Sequence, residues 1–177
     1  MKLPYQQIPK YPKHYTSGAI ISRLIDGLGY RYYWATENLT KDDLEYKPSL
    51  EGYSTYETIE HIYWLSIMII NTMHGLPCVR LTPTDLSTMT FEILRKNTLL
   101  NLKKASERSI DKTNENIGDL NVTFRKEDND TKFPFWHIIN GPISDALYHT
   151  GQIVSFRRTT GNPMHPKVSV FIGKTEI

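Results

Sequence analysis

The sequence predicts an all-α fold: a four-helix bundle with an irregular or short β-hairpin insertion before the last helix and an extended C-terminal tail. Three observations predict it. Four segments repeat apolar residues at helical spacing. Capping or breaking residues stand at their ends. Four helices with one apolar stripe each bury those stripes best against one another, which is a bundle.

Residues 1–14 read as an extended, proline-rich arm. The first helix follows, with Thr16 or Ser17 as N-cap. Ile20, Ile21, Leu24, Ile25, Leu28, Tyr32, Ala35 and Leu39 recur along it at helical spacing, and Asn38 or Leu39 ends it. Thr40-Lys-Asp-Asp43 reads as a capped single turn, and Pro48 breaks the chain again. The second helix opens on Ser54-Thr-Tyr-Glu57, a capping-box pattern. Ile62, Leu65, Met68, Ile69 and Met73 form its apolar side, and Gly75 and Pro77 stop it. Residues 77–89 read as loop. A third helix runs from about Thr90 to Ile110, with Phe91, Leu94, Leu99, Leu102 and Ala105 inward. Arg95, Lys96, Lys103, Lys104, Glu107 and Arg108 form its solvated face.

Residues 111–133 are polar and turn-rich. There Val122-Thr-Phe124 and Lys132-Phe133 flank Lys-Glu-Asp-Asn-Asp-Thr as a short hairpin. The last helix covers about Ile143 to Thr160. Asn140-Gly-Pro142 either caps it or kinks it away from a preceding turn carrying Trp136 and His137. The long second connection and the irregular stretch before the fourth helix argue against a symmetric hairpin stack. The tail, 164–177, includes Val168-Ser-Val-Phe-Ile172, too apolar to hang free. It packs along the bundle or against another subunit. Together with the aromatic-rich first helix, it offers apolar surface for a homodimer.

A chain of 177 residues, 39% apolar and 23% charged, suits one globular domain spanning 1–177. The net charge is only +2, and the pairs Lys103-Lys104 and Arg157-Arg158 read as solvated faces. No clustered basic stripe of the kind that neutralises phosphates is present, so a nucleic-acid partner is not expected. Cys78 is the single cysteine, which excludes an internal disulfide framework and reads as structural. The N-terminal stretch lacks the apolar core of a signal peptide, and no apolar run approaches 18 residues. These features predict a cytoplasmic protein with no membrane partner.

Helical geometry selects the candidate site. Relative to His61, Leu65 lies about 40° round its helix, Met68 about 20° the other way and Thr72 about 20° on. His61 is thus on the core-facing stripe. Asp145 and His149 stand four apart, so their side chains leave the same face of the last helix roughly 5–6 Å apart. An inward aspartate is costly unless paired or bound to a cation. Either Asp145 bonds His149 within one helix, or both join His61 in a site between two facing helices. Two imidazoles and a carboxylate suit a divalent first-row metal. Gln152, one turn beyond, is placed to orient His149, and Glu57, one turn before His61, to do the same. Asn140 reads as an N-cap or as an outer ligand or substrate contact. His137 has a minor claim, and His14, His74 and His165 read as surface. Neither a Gly-x-Ser-x-Gly elbow nor a glycine-rich phosphate loop appears.

Three segments carry a family resemblance. Gly27-Leu-Gly-Tyr-Arg-Tyr-Tyr-Trp34 is followed by Leu39-Thr-Lys-Asp-Asp-Leu44 and Lys47-Pro48. Thr55-Tyr-Glu-Thr-Ile-Glu-His-Ile62 comes next, then Asp145-Ala-Leu-Tyr-His-Thr-Gly-Gln152 with Arg157-Arg158 and Gly161-Asn-Pro163. In this order they resemble the DinB/YfiT-like family of four-helix, metal-dependent proteins. The resemblance implies that His61 is the first ligand and His149 the last. The family usually has a further histidine where this chain has Asp145. It therefore implies a divalent metal (Zn, Ni, Mn or Fe) on His61, Asp145 and His149, and a small-molecule substrate, with thiol transfer or hydrolysis among the chemistries. The alternative is a non-catalytic small-molecule-binding protein with a metal-free pocket, which the aspartate favours.

Overall fold

The computed structural model describes residues 2–125 and 129–176. The chain forms α1 (Ser17–Ala35), α2 (Lys41–Glu45), α3 (Thr55–His74), α4 (Pro83–Ser87), α5 (Phe91–Ser109) and α6 (Asn114–Gly118). A hairpin of β1 (Asn121–Phe124) and β2 (Thr131–Pro134) follows, then α7 (Trp136–Ile138), a π-turn over Ile139–Ile143 and α8 (Ser144–Thr159). A second small hairpin pairs β3 (Val168–Ser169) with β4 (Lys174–Thr175).

Side-chain contacts fix the directions of the four long helices. Ser22 and Ser106 hydroxyls meet at 2.8 Å, which pairs the start of α1 with the end of α5. The Asn101 amide donates to Ser66 at 3.1 Å, and Ser109 reaches the Met73 sulfur, so α3 and α5 run parallel. Arg157 near the end of α8 reaches the last carbonyls of α1, so those two are also parallel. The bundle is up-down-down-up, and residues 75–90 must cross its whole length. That is why the second connection is long. The residues 77–89, expected as plain loop, hold α4, whose Thr82 and Asp85 form a capping box.

The helices begin where their caps dictate. The Thr16 hydroxyl accepts from the Ala19 amide, and Ser54 and Thr40 open capping boxes with Glu57 and Asp43. Gly75 closes α3 at φ 68°, donating to the Asn71 and Thr72 carbonyls. Between the helices Ile25, Leu28 and Tyr32 pack with Ile62, Ile69, Leu94, Leu99, Leu102 and Ile153, all fully buried. Ile20 and Leu24 share the spacing but not the core, being 50% and 40% exposed.

Two arginines expected on solvated faces are structural. Arg157 is 3% exposed and donates to the Trp34 and Ala35 carbonyls at 3.0 and 3.1 Å. Arg95, from α5, donates to the Tyr33 carbonyl and Thr36 hydroxyl and pairs with Glu37. Both satisfy carbonyls that the end of α1 would otherwise leave orphaned, where a cation also opposes the helix dipole. Asn162 accepts from Arg157 and donates to Asp43 at 2.6 Å. Burial alone would raise the Asp43 carboxyl. Hydrogen bonds from Thr160, Asn162 and Thr40 outweigh it and hold the group below its usual range.

The arm and tail clasp α1 from outside. Tyr5 is buried against Gly29, where a Cβ would lie 2.5 Å from its ring, and its hydroxyl donates to Asp26 at 3.0 Å. Ile8 donates to the Gly173 carbonyl, and Tyr30 meets Thr175 at 2.8 Å. The tail thus packs along its own bundle. Its anchors are Gly173 and Thr175 rather than its apolar run, for Phe171 is 97% exposed at the hairpin tip. The first helix, expected to offer apolar surface to a second copy, packs its aromatics Tyr30, Tyr32 and Trp34 into its own fold.

The expected hairpin before the last helix is present, with Val122 opposite Phe133 and Phe124 opposite Thr131. Lys126, Glu127 and Asp128 of its expected turn lie outside the described residues. Cys78 is buried, and its amide bonds the Thr123 carbonyl beside this hairpin.

Candidate metal centre

The site lies where α3 and α8 run antiparallel. On α3 the Ser54–Glu57 box sets the helix start, and His61 follows two turns in. On α8 the approach is kinked. Gly141 adopts φ −95° and ψ −105° between α7 and α8, and Pro142 follows it inside the π-turn. Asn140-Gly-Pro142 therefore kinks the chain and does not cap it: Ile143 is the N-cap of α8, with no side-chain bond. Asn140 is exposed.

Three side chains converge. Asp145 Oδ2 lies 3.1 Å from His61 Nε2, and Asp145 Oδ1 lies 3.3 Å from His149 Nε2. The two imidazoles meet edge to face, with centroids 4.7 Å apart. One donor atom from each residue falls within 4.8 Å of the other two. The choice between a bond within α8 and a shared site is thereby resolved: Asp145 reaches both histidines. His149 is the innermost, its side chain 16% exposed, while His61 and Asp145 at 34% and 42% open the group to solvent.

The donor set fits a cation on two grounds. Donors about 2.1 Å from a first-row metal stand roughly 3.0–3.4 Å from their neighbours in the shell, close to the two separations here. The second ground is the Gln152 carbonyl oxygen, which stands 2.7 Å from His149 Nδ1. An oxygen there holds the ring proton on Nδ1 and turns the Nε2 lone pair toward Asp145 Oδ1. Two acceptors face each other comfortably only with a proton or a metal between them. Gln152 thus contacts the histidine one turn before it.

Glu57 does not orient His61. Its carboxylate is taken by the Ser54 amide at 2.7 Å and by Lys47 Nζ at 3.0 Å, so it caps α3 rather than orienting a histidine. The Ser54 backbone bond, then Lys47, hold its carboxyl down to about 2 against an ordinary 4.5. A group depressed in the folded state stabilises it above the unfolded pKa and loses that effect as pH falls. Glu57→Ala should therefore cost about 1 kcal/mol at neutral pH. The gap from wild type should close between pH 4.5 and about 2, and metal content at neutral pH should match wild type. Urea melts across that range check this; a gap independent of pH contradicts it.

Tyr148 was not singled out from sequence. Its ring stands 5.3 Å from that of His149, edge on, and is 66% exposed beside the site. Its place three residues after Asp145 was the available signal. His14, His74, His137 and His165 are exposed and outside the cluster. His137 lies against Phe133 and His165 against Trp34.

No protein-family model matches the chain, and no curated protein sequence matches it. Among solved structures, it is similar to a DinB-like protein from Bacillus subtilis at 14% sequence identity and a TM-score of 0.57. The match covers 89% of this chain and 99% of that one. The DinB-like fold expected from the three sequence segments is the fold this chain has.

Proposed function

We propose that the protein is a metal-dependent enzyme acting on a small molecule, with a divalent transition metal (Zn, Ni, Mn or Fe) held by His61, Asp145 and His149. The observation that carries this reading is the convergence of three donors from two helices, with Gln152 turning one of them inward. Such a cation supplies Lewis acidity, lowering the pKa of a coordinated water or thiol. The chain's own part is positional. Gln152 keeps the His149 proton on Nδ1, Asp145 supplies the site's negative charge, and the exposed Tyr148 ring walls one side. Three protein donors leave positions free for a reactant, as catalytic sites require. Thiol transfer or hydrolysis is the favoured chemistry, by fold analogy.

The test is a screen of metal-loaded wild type beside His149→Ala against low-molecular-weight thiols with electrophiles, and against esters and amides. Metal content and turnover should fall together in the variant. Turnover that survives loss of metal would remove the reading. One observation favours a second: the 3.1 and 3.3 Å separations also suit hydrogen bonds between the histidines and both Asp145 oxygens, which would make a metal-free pocket. Wild type that takes up no metal on reconstitution would favour that binding protein.

A further inference from the structure

Away from the metal centre, the start of α1 faces α6, the end of β2 and α7 across a cavity of about 430 Å³. Ile21 and Phe135, both buried, form its floor. Ile20 and Trp136 stand at the mouth, 50% and 75% exposed. At one end the Ser17 hydroxyl donates to the Asn114 carbonyl oxygen, which leaves the Asn114 amide protons free to donate elsewhere. Among the described residues, no charged side chain lines the space.

These features describe a ligand. Small-molecule sites enclose roughly 300–1,000 Å³ of mostly apolar wall with a few polar groups that set orientation. An uncharged lining disfavours an ionised guest, which would lose its hydration without a partner. An indole at the mouth offers a flat face for stacking. Ile21 and Phe135 are buried behind the exposed mouth residues, a recess that the level surface of another protein would leave unfilled.

We propose that this cavity binds a small, flat, uncharged molecule of one or two fused rings with one hydrogen-bond acceptor. Its ring lies against Trp136 and its acceptor on the Asn114 amide. The site is independent of His61, Asp145 and His149.

The probe is 6-propionyl-2-(dimethylamino)naphthalene, a neutral two-ring fluorophore with a single carbonyl, titrated into the full chain. Saturable binding of one equivalent per chain, with a blue shift in emission, is expected. Trp136→Ala and Ile20→Asn should each weaken it at least tenfold, and Asn114→Leu about threefold. Both mouth residues are largely exposed, and circular dichroism confirms that the variants fold. Leu50→Ala, at a side chain 99% exposed and outside the cavity lining, and His61→Ala should bind as wild type does. Equal affinity in all variants, uptake without saturation, or no blue shift would overturn the proposal. So would binding that vanishes as the chain self-associates, which would give the cavity to a second copy.

Discussion

Asp145→Ala should weaken metal binding by more than the roughly 100-fold expected for loss of an outer orienting group. Among the described residues, Asp145 is the one anion of the cluster, and its two oxygens reach one histidine each. Without it, two imidazoles from separate helices remain, and nothing draws them to a common point. Gln152→Leu tests the layer behind: the His149 proton is no longer held on Nδ1, and affinity should drop about 10–100-fold. Competition with a chromophoric chelator reads both. Because Asp145 is 42% exposed on its side chain, Asp145→Ala should unfold at nearly the wild-type urea concentration when both are stripped of metal. A variant that keeps wild-type affinity would place the metal elsewhere.

Arg157→Ala should lower stability by about 3 kcal/mol, roughly 10 °C in melting temperature for a chain this size. The guanidinium is buried and donates to carbonyls of Trp34, Ala35 and Asn162. Its removal orphans the end of α1 and leaves Asp43 without the cation beside it. Arg157→Lys should recover only part of the loss, since an ammonium lacks the fork that spans several acceptors. Metal affinity should not change, because Arg157 lies two turns beyond His149 on α8. Thermal melts check this, and a shift below about 2 °C would mean that water replaces the guanidinium.

The contrast between these two residues shows what the sequence makes legible. His61, Asp145, His149 and Gln152 were found because spacing on an amphipathic helix decides which face a side chain leaves by, and facing stripes must meet. Caps were legible for the same local reason: Thr16, Thr40 and Ser54 bond amides three residues away. Arg157 was not, since its acceptors lie 122 and 123 residues earlier. A basic pair near a helix end looks the same whether it meets water or another helix. Glu57 was legible as a cap and also suited an orienting role by position. Lys47, outside the helix, decided between them. Asn140 sat in a Gly-Pro context that signals both start and kink, and only the tertiary path of α7 selects the kink. The tail was legible as packed, but composition alone could not say which residues anchor it: a hairpin buries its anchors and can leave its tip in water.

The most direct test of the metal centre is elemental analysis of untagged protein, wild type beside His61→Ala. A metal held by His61, Asp145 and His149 predicts about one equivalent of Zn, Ni, Mn or Fe per wild-type chain, and none in a variant that keeps its helical circular dichroism. A wild type without metal even after reconstitution, or equal metal in both proteins, would contradict it.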